Sequence, residues 1–156
     1  MAGLWFEEYE VGRIYRHKLG RTVTETDNLL FTALSMNTAP LHLDAEYAKT
    51  LPYGRQLVTS VFTIGVVMGM SVSDLFEGTS LGNLGFTSMT FPNPVFIGDT
   101  LRAETEIVDK RESKSRPEAG IINVIHRGYN QTGDLVMEAH RAGLSLKRPV
   151  DTAAEL

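Results

Sequence analysis

The sequence contains no cysteine. A disulfide framework, a thiolate nucleophile and a thiolate-bound zinc are thereby excluded, and a reducing cytoplasm, the expected setting, would cost the chain nothing. A basic surplus is also missing: 15 Lys and Arg stand against 19 Asp and Glu, a net charge of -4. Proteins that neutralise phosphate backbones need a dense basic face, so nucleic acid is not an expected partner. The longest apolar run, Val61 to Met70, is broken by Thr63 and two glycines and falls short of the roughly 20 residues that span a bilayer. No membrane partner is expected. The opening stretch MAGLWFEEYEVG is acidic and has no basic segment leading into an apolar one, so it reads as mature chain and not as a signal peptide. Nucleotide fingerprints are missing too, because the densest glycine stretch, Gly78 to Gly85, has neither Walker nor GxGxxG spacing and precedes a strand.

What remains is a chain of 156 residues, 42% hydrophobic and 22% charged, the make-up of one globular domain. The domain is expected over residues 1–148, with 149–156 as a tail. Val11 to Thr22 reads as a first strand. Thr24 followed by Asp27 resembles a capping box, and Leu30, Ala33 and Leu34 carry a helical stripe to about Ser35. Asn37, Thr38, Ala39 and Pro40 end that helix, which puts His42 on a loop. Asp44 caps a short helical piece from Ala45 to Thr50, and Thr59 or Ser60 caps a helix from Val61 to about Leu75 that is apolar on every side. Such a helix must be wrapped by other structure, and its Gly65 and Gly69 imply a close neighbour. Strands follow: Leu84 to Phe91, Leu101 to Val108 with strict alternation, then Ile121 to Asn130 and Leu135 to Lys147 as a hairpin around Thr132, Gly133 and Asp134. Helices followed by a run of antiparallel strands predict an α+β fold, with the sheet curled around the apolar helix.

Of the four histidines, His17, His126 and His140 fall in strands, where structural roles predominate, and none has the spacing of a helical zinc motif. His42 differs. It lies among Asn37, Thr38 and Asp44, shortly before the cap of the apolar helix. An imidazole facing a helix N-terminus pairs a general base with an anion-stabilising dipole; the alternative is a surface histidine bonded to its neighbours. The stretch KRESKSR, Lys110 to Arg116, is either a solvated loop or an anion site.

ALSMNTAPLHLD (33–44), LVTS at the head of the apolar helix, and FPNPVFIGDTLRAETEI (91–107) resemble the MaoC-like dehydratases, the R-specific enoyl-CoA hydratase branch of the hot-dog fold. The resemblance runs from about Tyr9 to Lys147. It implies a long antiparallel sheet around a buried helix, homodimers or higher homo-oligomers, an acyl-CoA substrate, and no cofactor beyond the CoA of that substrate. In the family motif SxDxNPxH an aspartate and a histidine hold the attacking water. Here the histidine is His42 and the proline Pro40, but the aspartate becomes Asn37 and the motif asparagine Ala39. The histidine-glycine pair that heads the family's helix becomes Thr59 and Ser60, so Ser60 would supply the oxyanion amide and Thr59 would lie against the substrate. An amide cannot take a proton from water, which leaves His42 as the base, supported by Asp44 or Asp27 if either comes close.

NTAPLHLD, GRQLVTS, NLGF and RESKSRPEAGI further resemble a subgroup of mesaconyl-CoA or itaconyl-CoA hydratases. Such a substrate carries a second carboxylate, for which Arg55 is the first candidate; Lys114 and Arg116 are candidates for that group or for CoA phosphates. Two other classes stay open. A hot-dog thioesterase would use a carboxylate such as Asp74 or Glu77, and an acyl-CoA-binding relative would have lost its chemistry with the aspartate.

Overall fold

A computed structural model describes residues 3–149, so the expected tail beyond Pro149 lies outside the described residues. Five antiparallel strands form one sheet: β1 (Ile14–Thr22), β2 (Ser80–Thr90), β3 (Thr100–Glu112), β4 (Ala119–Tyr129) and β5 (Leu135–Leu146). Their order is β1-β3-β4-β5-β2, which sends the strands from the two ends of the helical segment to opposite edges. That segment holds α1 (Glu25–Leu34), α2 (Pro40–Leu43), α3 (Ala45–Lys49) and α4 (Ser60–Met70). β3 shows the predicted alternation, with Leu101, Ala103, Thr105 and Ile107 buried on the face towards α4.

The apolar helix is shorter than its pattern predicts. α4 ends at Met70, where the Ser71 hydroxyl donates to the Met68 carbonyl, a local bond that competes with continuing the ladder. Val72–Phe76 then forms a wider π turn, closed by the Glu77 amide on the Val72 carbonyl at 2.8 Å. The turn buries Leu75 and Phe76 beside Phe6, Tyr9 and Ile107, a second apolar cluster distinct from the one that holds Val67 and Met70.

Nor is α4 wrapped on all sides. Thr63, Val67 and Met70 face the sheet, whereas Val61, Gly65 and Gly69 are exposed. A Cβ at either helix glycine would meet nothing within 4 Å. One curled sheet covers one side of a helix, and the other side lines a groove of about 520 Å³ with Leu19, Phe31 and Phe62. The close approach falls on the sheet instead, where a Cβ at Gly128 of β4 would overlap Val67 Cγ2. Gly128→Ala is therefore expected to cost about 1–3 kcal/mol through overpacking, read as a lower urea midpoint; an unchanged midpoint would mean that α4 can lift off the sheet freely.

Between the two apolar clusters a polar row crosses the sheet. Arg141 Nε donates to His126 Nε2 at 2.8 Å. His126 Nδ1 then donates to Thr105 Oγ1 at 2.8 Å, the Thr105 hydroxyl donates to His17 Nε2 at 2.8 Å, and His17 Nδ1 donates to the Asp74 carboxylate at 2.9 Å. Burial first, and then the Arg141 guanidinium, pushes His126 down to about 3. His17 and His126 are thus structural, as their strand positions predict.

Candidate active site

The site is built on the segment between α1 and α4. α1 starts with the predicted capping box: Thr24 Oγ1 accepts from the Asp27 amide, and Asp27 accepts from the Thr24 amide. Burial pushes the Asp27 carboxyl up, but the Thr24 hydrogen bonds and the Arg21 guanidinium outweigh it and hold the group below its usual range. α1 ends in a left-handed residue, Met36 at φ 56, with the Asn37 amide bonded to the Thr32 carbonyl at 2.9 Å. This six-to-one closure releases the chain sharply from the helix. Asn37 Oδ1 then accepts from the Ala39 amide at 3.2 Å, and Pro40 takes the first helical position, where a missing N–H costs nothing.

His42 consequently sits in a one-turn helix, α2, and not in the expected loop. Its Nδ1 lies 2.8 Å from the Leu57 carbonyl oxygen. A carbonyl only accepts, so Nδ1 carries a proton, and in the neutral imidazole the Nε2 lone pair is left as an acceptor. His42 lines a small depression with Glu25, Asn28, Leu29, Leu43 and Gln56. Asn37 lines a neighbouring one that shares Leu29 and Leu43.

Neither carboxylate expected to support His42 does so. Asp44 Oδ1 caps α3 by accepting from the Tyr47 amide, and Asp27 is engaged by Thr24 and Arg21. The ionisable side chain that shares the His42 depression is Glu25.

Asn28, which the sequence reading passes over, connects the parts. It is 1% exposed, and its Nδ2 donates to the His42 carbonyl at 3.0 Å and to the Leu57 carbonyl at 3.1 Å. Its Oδ1 accepts from the Thr59 amide at 3.2 Å. The available signal was an asparagine inside a helical pattern, where that residue is disfavoured unless its amide finds partners.

The 57–59 segment is held against the FPNPVFIGD loop. The Val58 amide donates to the Val95 carbonyl at 2.9 Å, and Asp99 closes the loop by accepting from the Phe96 amide and from Gln131 Nε2. Gly98, at φ 95, occupies a conformation that favours glycine. Thr59 is buried, and its hydroxyl accepts from the Phe62 amide as the cap of α4. Ser60 is exposed and opens α4, in the first turn whose amides have no partner within the helix. It lines a cleft of about 200 Å³ with Tyr53, Thr63, Phe91 and Asn93.

Arg55 belongs to this neighbourhood. Its guanidinium stacks 3.6 Å from the centre of the Phe96 ring, and Tyr53 meets the same ring edge-on. Lys114 and Arg116 do not. They lie in the exposed β3–β4 turn, 12 residues up β3 from Thr100, about 40 Å along the strand at 3.3 Å per residue. Arg116 faces Glu118 at 3.8 Å. Asp74 and Glu77 follow the far end of α4 from Ser60, and Asp74 is engaged by His17.

No described helix is long and apolar enough to cross a membrane. Among the described residues no cluster of three or more His, Asp or Glu has metal-ligand geometry.

Comparison with known proteins agrees with this architecture. A family model described as "MaoC like domain" matches residues 7–130. A mesaconyl-CoA hydratase of Cereibacter sphaeroides is 33% identical over 98% of this chain and 43% of its own length. An (R)-specific enoyl-CoA hydratase of Aeromonas caviae is 32% identical over 84% of this chain and 91% of its own. A Mycobacterium tuberculosis protein described as having a double hot-dog fold superposes with a TM-score of 0.83 at 22% identity, covering 94% of this chain and 45% of that one. The chain thus has the hot-dog fold, and it spans less than half the length of the mesaconyl-CoA hydratase it matches.

Proposed function

Since the chain belongs to the MaoC-like domain family, we propose that it is an acyl-CoA hydratase, adding water reversibly across the double bond of an α,β-unsaturated CoA thioester. The finer reading is a branched C5 dicarboxylyl thioester, mesaconyl-CoA or itaconyl-CoA, as substrate. One observation carries the proposal: His42 holds its proton on Nδ1, against Leu57, and keeps Nε2 as a base in the segment that leads into the α4 cap.

In the forward reaction His42 Nε2 takes a proton from water while the oxygen bonds the β-carbon. The alkene electron pair shifts towards the carbonyl, and the thioester oxygen gains negative charge. The Ser60 amide and the α4 dipole stabilise that charge. The imidazolium then returns its proton to the α-carbon. Asn37 has its Oδ1 engaged by the Ala39 amide, so its Nδ2 protons are what it offers to the water oxygen. It holds the water and His42 activates it. The reading calls for no metal or cofactor beyond the CoA of the substrate.

Two further features support the finer reading. The Cereibacter relative is named for mesaconyl-CoA, and Arg55 is a guanidinium already oriented by Phe96 beside the Ser60 cleft. For the assembly, the open face of α4 and exposed Leu30, Leu34 and Val61 favour a homodimer or larger homo-oligomer, in which a second copy would supply the half of the mesaconyl-CoA hydratase that this chain does not cover.

The test follows enone absorbance with mesaconyl-CoA, itaconyl-CoA and crotonyl-CoA, with free thiol measured in the same samples. Absorbance loss without thiol is expected; stoichiometric thiol release would make the protein a thioesterase, and binding without turnover an inactive relative. Arg55→Ala is expected to cut the kcat/KM preference for the dicarboxylyl over the crotonyl thioester by about ten- to a hundredfold, the loss of one charge-assisted pair. An unchanged preference would remove Arg55 from carboxylate recognition.

A further inference from the structure

In sequence the base and the oxyanion-binding helix are far apart: 17 positions separate His42 from Thr59, and α3 lies between them. What fixes their spacing is a third element. The carboxamide of Asn28 bonds three times, to the His42 carbonyl, to the Leu57 carbonyl that also receives the His42 Nδ1 proton, and from the Thr59 amide. We infer that Asn28 is a positioning residue, which holds the imidazole of His42 and the first turn of α4 at the separation needed to span the reacting thioester. The inference rests on the reading of His42 as general base.

The chemistry of the carboxamide suits this position. Two of the three groups around it are acceptors and one is a donor, and a primary amide presents two N–H donors and a carbonyl acceptor in one plane. An aspartate of the same shape would still accept from Thr59. When ionised, its other oxygen would confront the carbonyls of His42 and Leu57 with no proton to give. Both polar atoms of the Asn28 side chain are engaged by backbone groups, so the amide offers no free group to the reaction. Its effect must pass through geometry. Misalignment of reacting groups by about 1 Å costs on the order of a hundredfold in rate, and an interaction of this kind appears in kcat and not in ground-state binding. The neighbouring titratable side chain in the His42 depression is Glu25, which is not among the hydrogen-bond partners of Asn28 and is kept in every variant.

The experiment uses the full chain and crotonyl-CoA, with mesaconyl-CoA in parallel, and compares wild type, His42→Ala, Asn28→Ala and Asn28→Asp at a temperature where each is folded by urea titration. Asn28→Ala is expected to lower kcat by about ten- to a hundredfold with KM changed less than about threefold. Asn28→Asp, which conserves volume, serves if the alanine variant does not fold. It is expected to be equally impaired at pH 8, and its kcat relative to wild type is expected to recover as the pH falls and the introduced carboxyl regains a proton to donate. A residue that served stability alone would leave kcat of the folded variants unchanged and the pH dependence of the ratio flat. If His42→Ala is inactive while folded Asn28 variants keep kcat within about twofold of wild type, the positioning role is overturned and the base assignment stands. If His42→Ala retains wild-type kcat, both fall.

Discussion

Removing the His42 imidazole will lower enoyl-CoA hydration by about 10²–10⁴-fold, the contribution of a positioned general acid–base, while leaving the fold intact. The fold should survive because His42 is only half-buried and its ring makes one hydrogen bond, to the Leu57 carbonyl. That same bond makes the expected effect large. It fixes the tautomer that leaves Nε2 unprotonated, so no ring flip or proton shuffle precedes catalysis. In the family motif an aspartate shares the water with the histidine; here the corresponding Asn37 has an amide whose acceptor oxygen is already bonded. Asn37 then cannot take over as base. His42→Gln, which restores an N–H for Leu57 but no basic nitrogen, should be as inactive as His42→Ala. Rate constants at matched folded fraction check this, and recovery of more than a tenth of the wild-type rate in the glutamine variant would show that the imidazole orients and does not accept a proton.

The second large effect concerns stability in mild acid. His126 is fully buried, and its Nε2 receives the Arg141 Nε proton. Folded protein therefore holds it neutral, with its pKa pushed from 6.5 to about 3 by burial first, then by the Arg141 guanidinium. In the unfolded chain the same imidazole takes up a proton below its ordinary value, about 6.5. The unfolded state then binds more protons, so the stability is fully present above pH 6.5 and is lost as pH falls towards 3. At 1.36 kcal/mol per unit, about 2 kcal/mol should disappear between pH 6.5 and 5. The lowered carboxyls of Asp27 and Glu138 begin to contribute below that window, as their own unfolded values are reached.

Urea titrations at several pH values should show this slope in the wild type and lose it in His126→Gln. Glutamine can still accept from Arg141 and donate to Thr105, at some cost in packing, but carries no titrating group. Parallel slopes for the two proteins between pH 6.5 and 5 would assign the acid lability elsewhere. The polar row thus trades acid tolerance for a fixed chain of donors between two apolar clusters, one that reaches from Arg141 to Asp74.

Much of the molecule could be read without coordinates because its signals are local. Thr24, Asp44 and Thr59 cap the helices the sequence assigns to them: a side-chain oxygen within three residues of an orphan amide needs no distant partner. The alternation over Leu101 to Val108 and the Gly133 turn fix β3 and the β4–β5 hairpin for the same reason. The departures arise where a choice depends on groups far along the chain. Apolar periodicity carried the central helix to Leu75, yet Ser71 ends its ladder and a π turn follows. Gly65 and Gly69 looked like the close-approach positions, but the contact point is Gly128, about sixty residues later in another strand. The cation cluster with Lys114 and Arg116 has the charge for a carboxylate site, and strand length carries it to the other end of the sheet.

The sequence by itself therefore determined α1, α3 and the strands, the α+β class and His42 as the base candidate, all of which depend on neighbours within a few residues or on a motif of contiguous ones. The tertiary structure alone decided which nitrogen of His42 holds the proton, that Asn28 joins His42 to Thr59, and that His126 is neutral. Those outcomes are set by hydrogen-bond partners 14 to 31 positions apart around the site and by burial across neighbouring strands, and neither has a local imprint that a residue's own surroundings in sequence could carry.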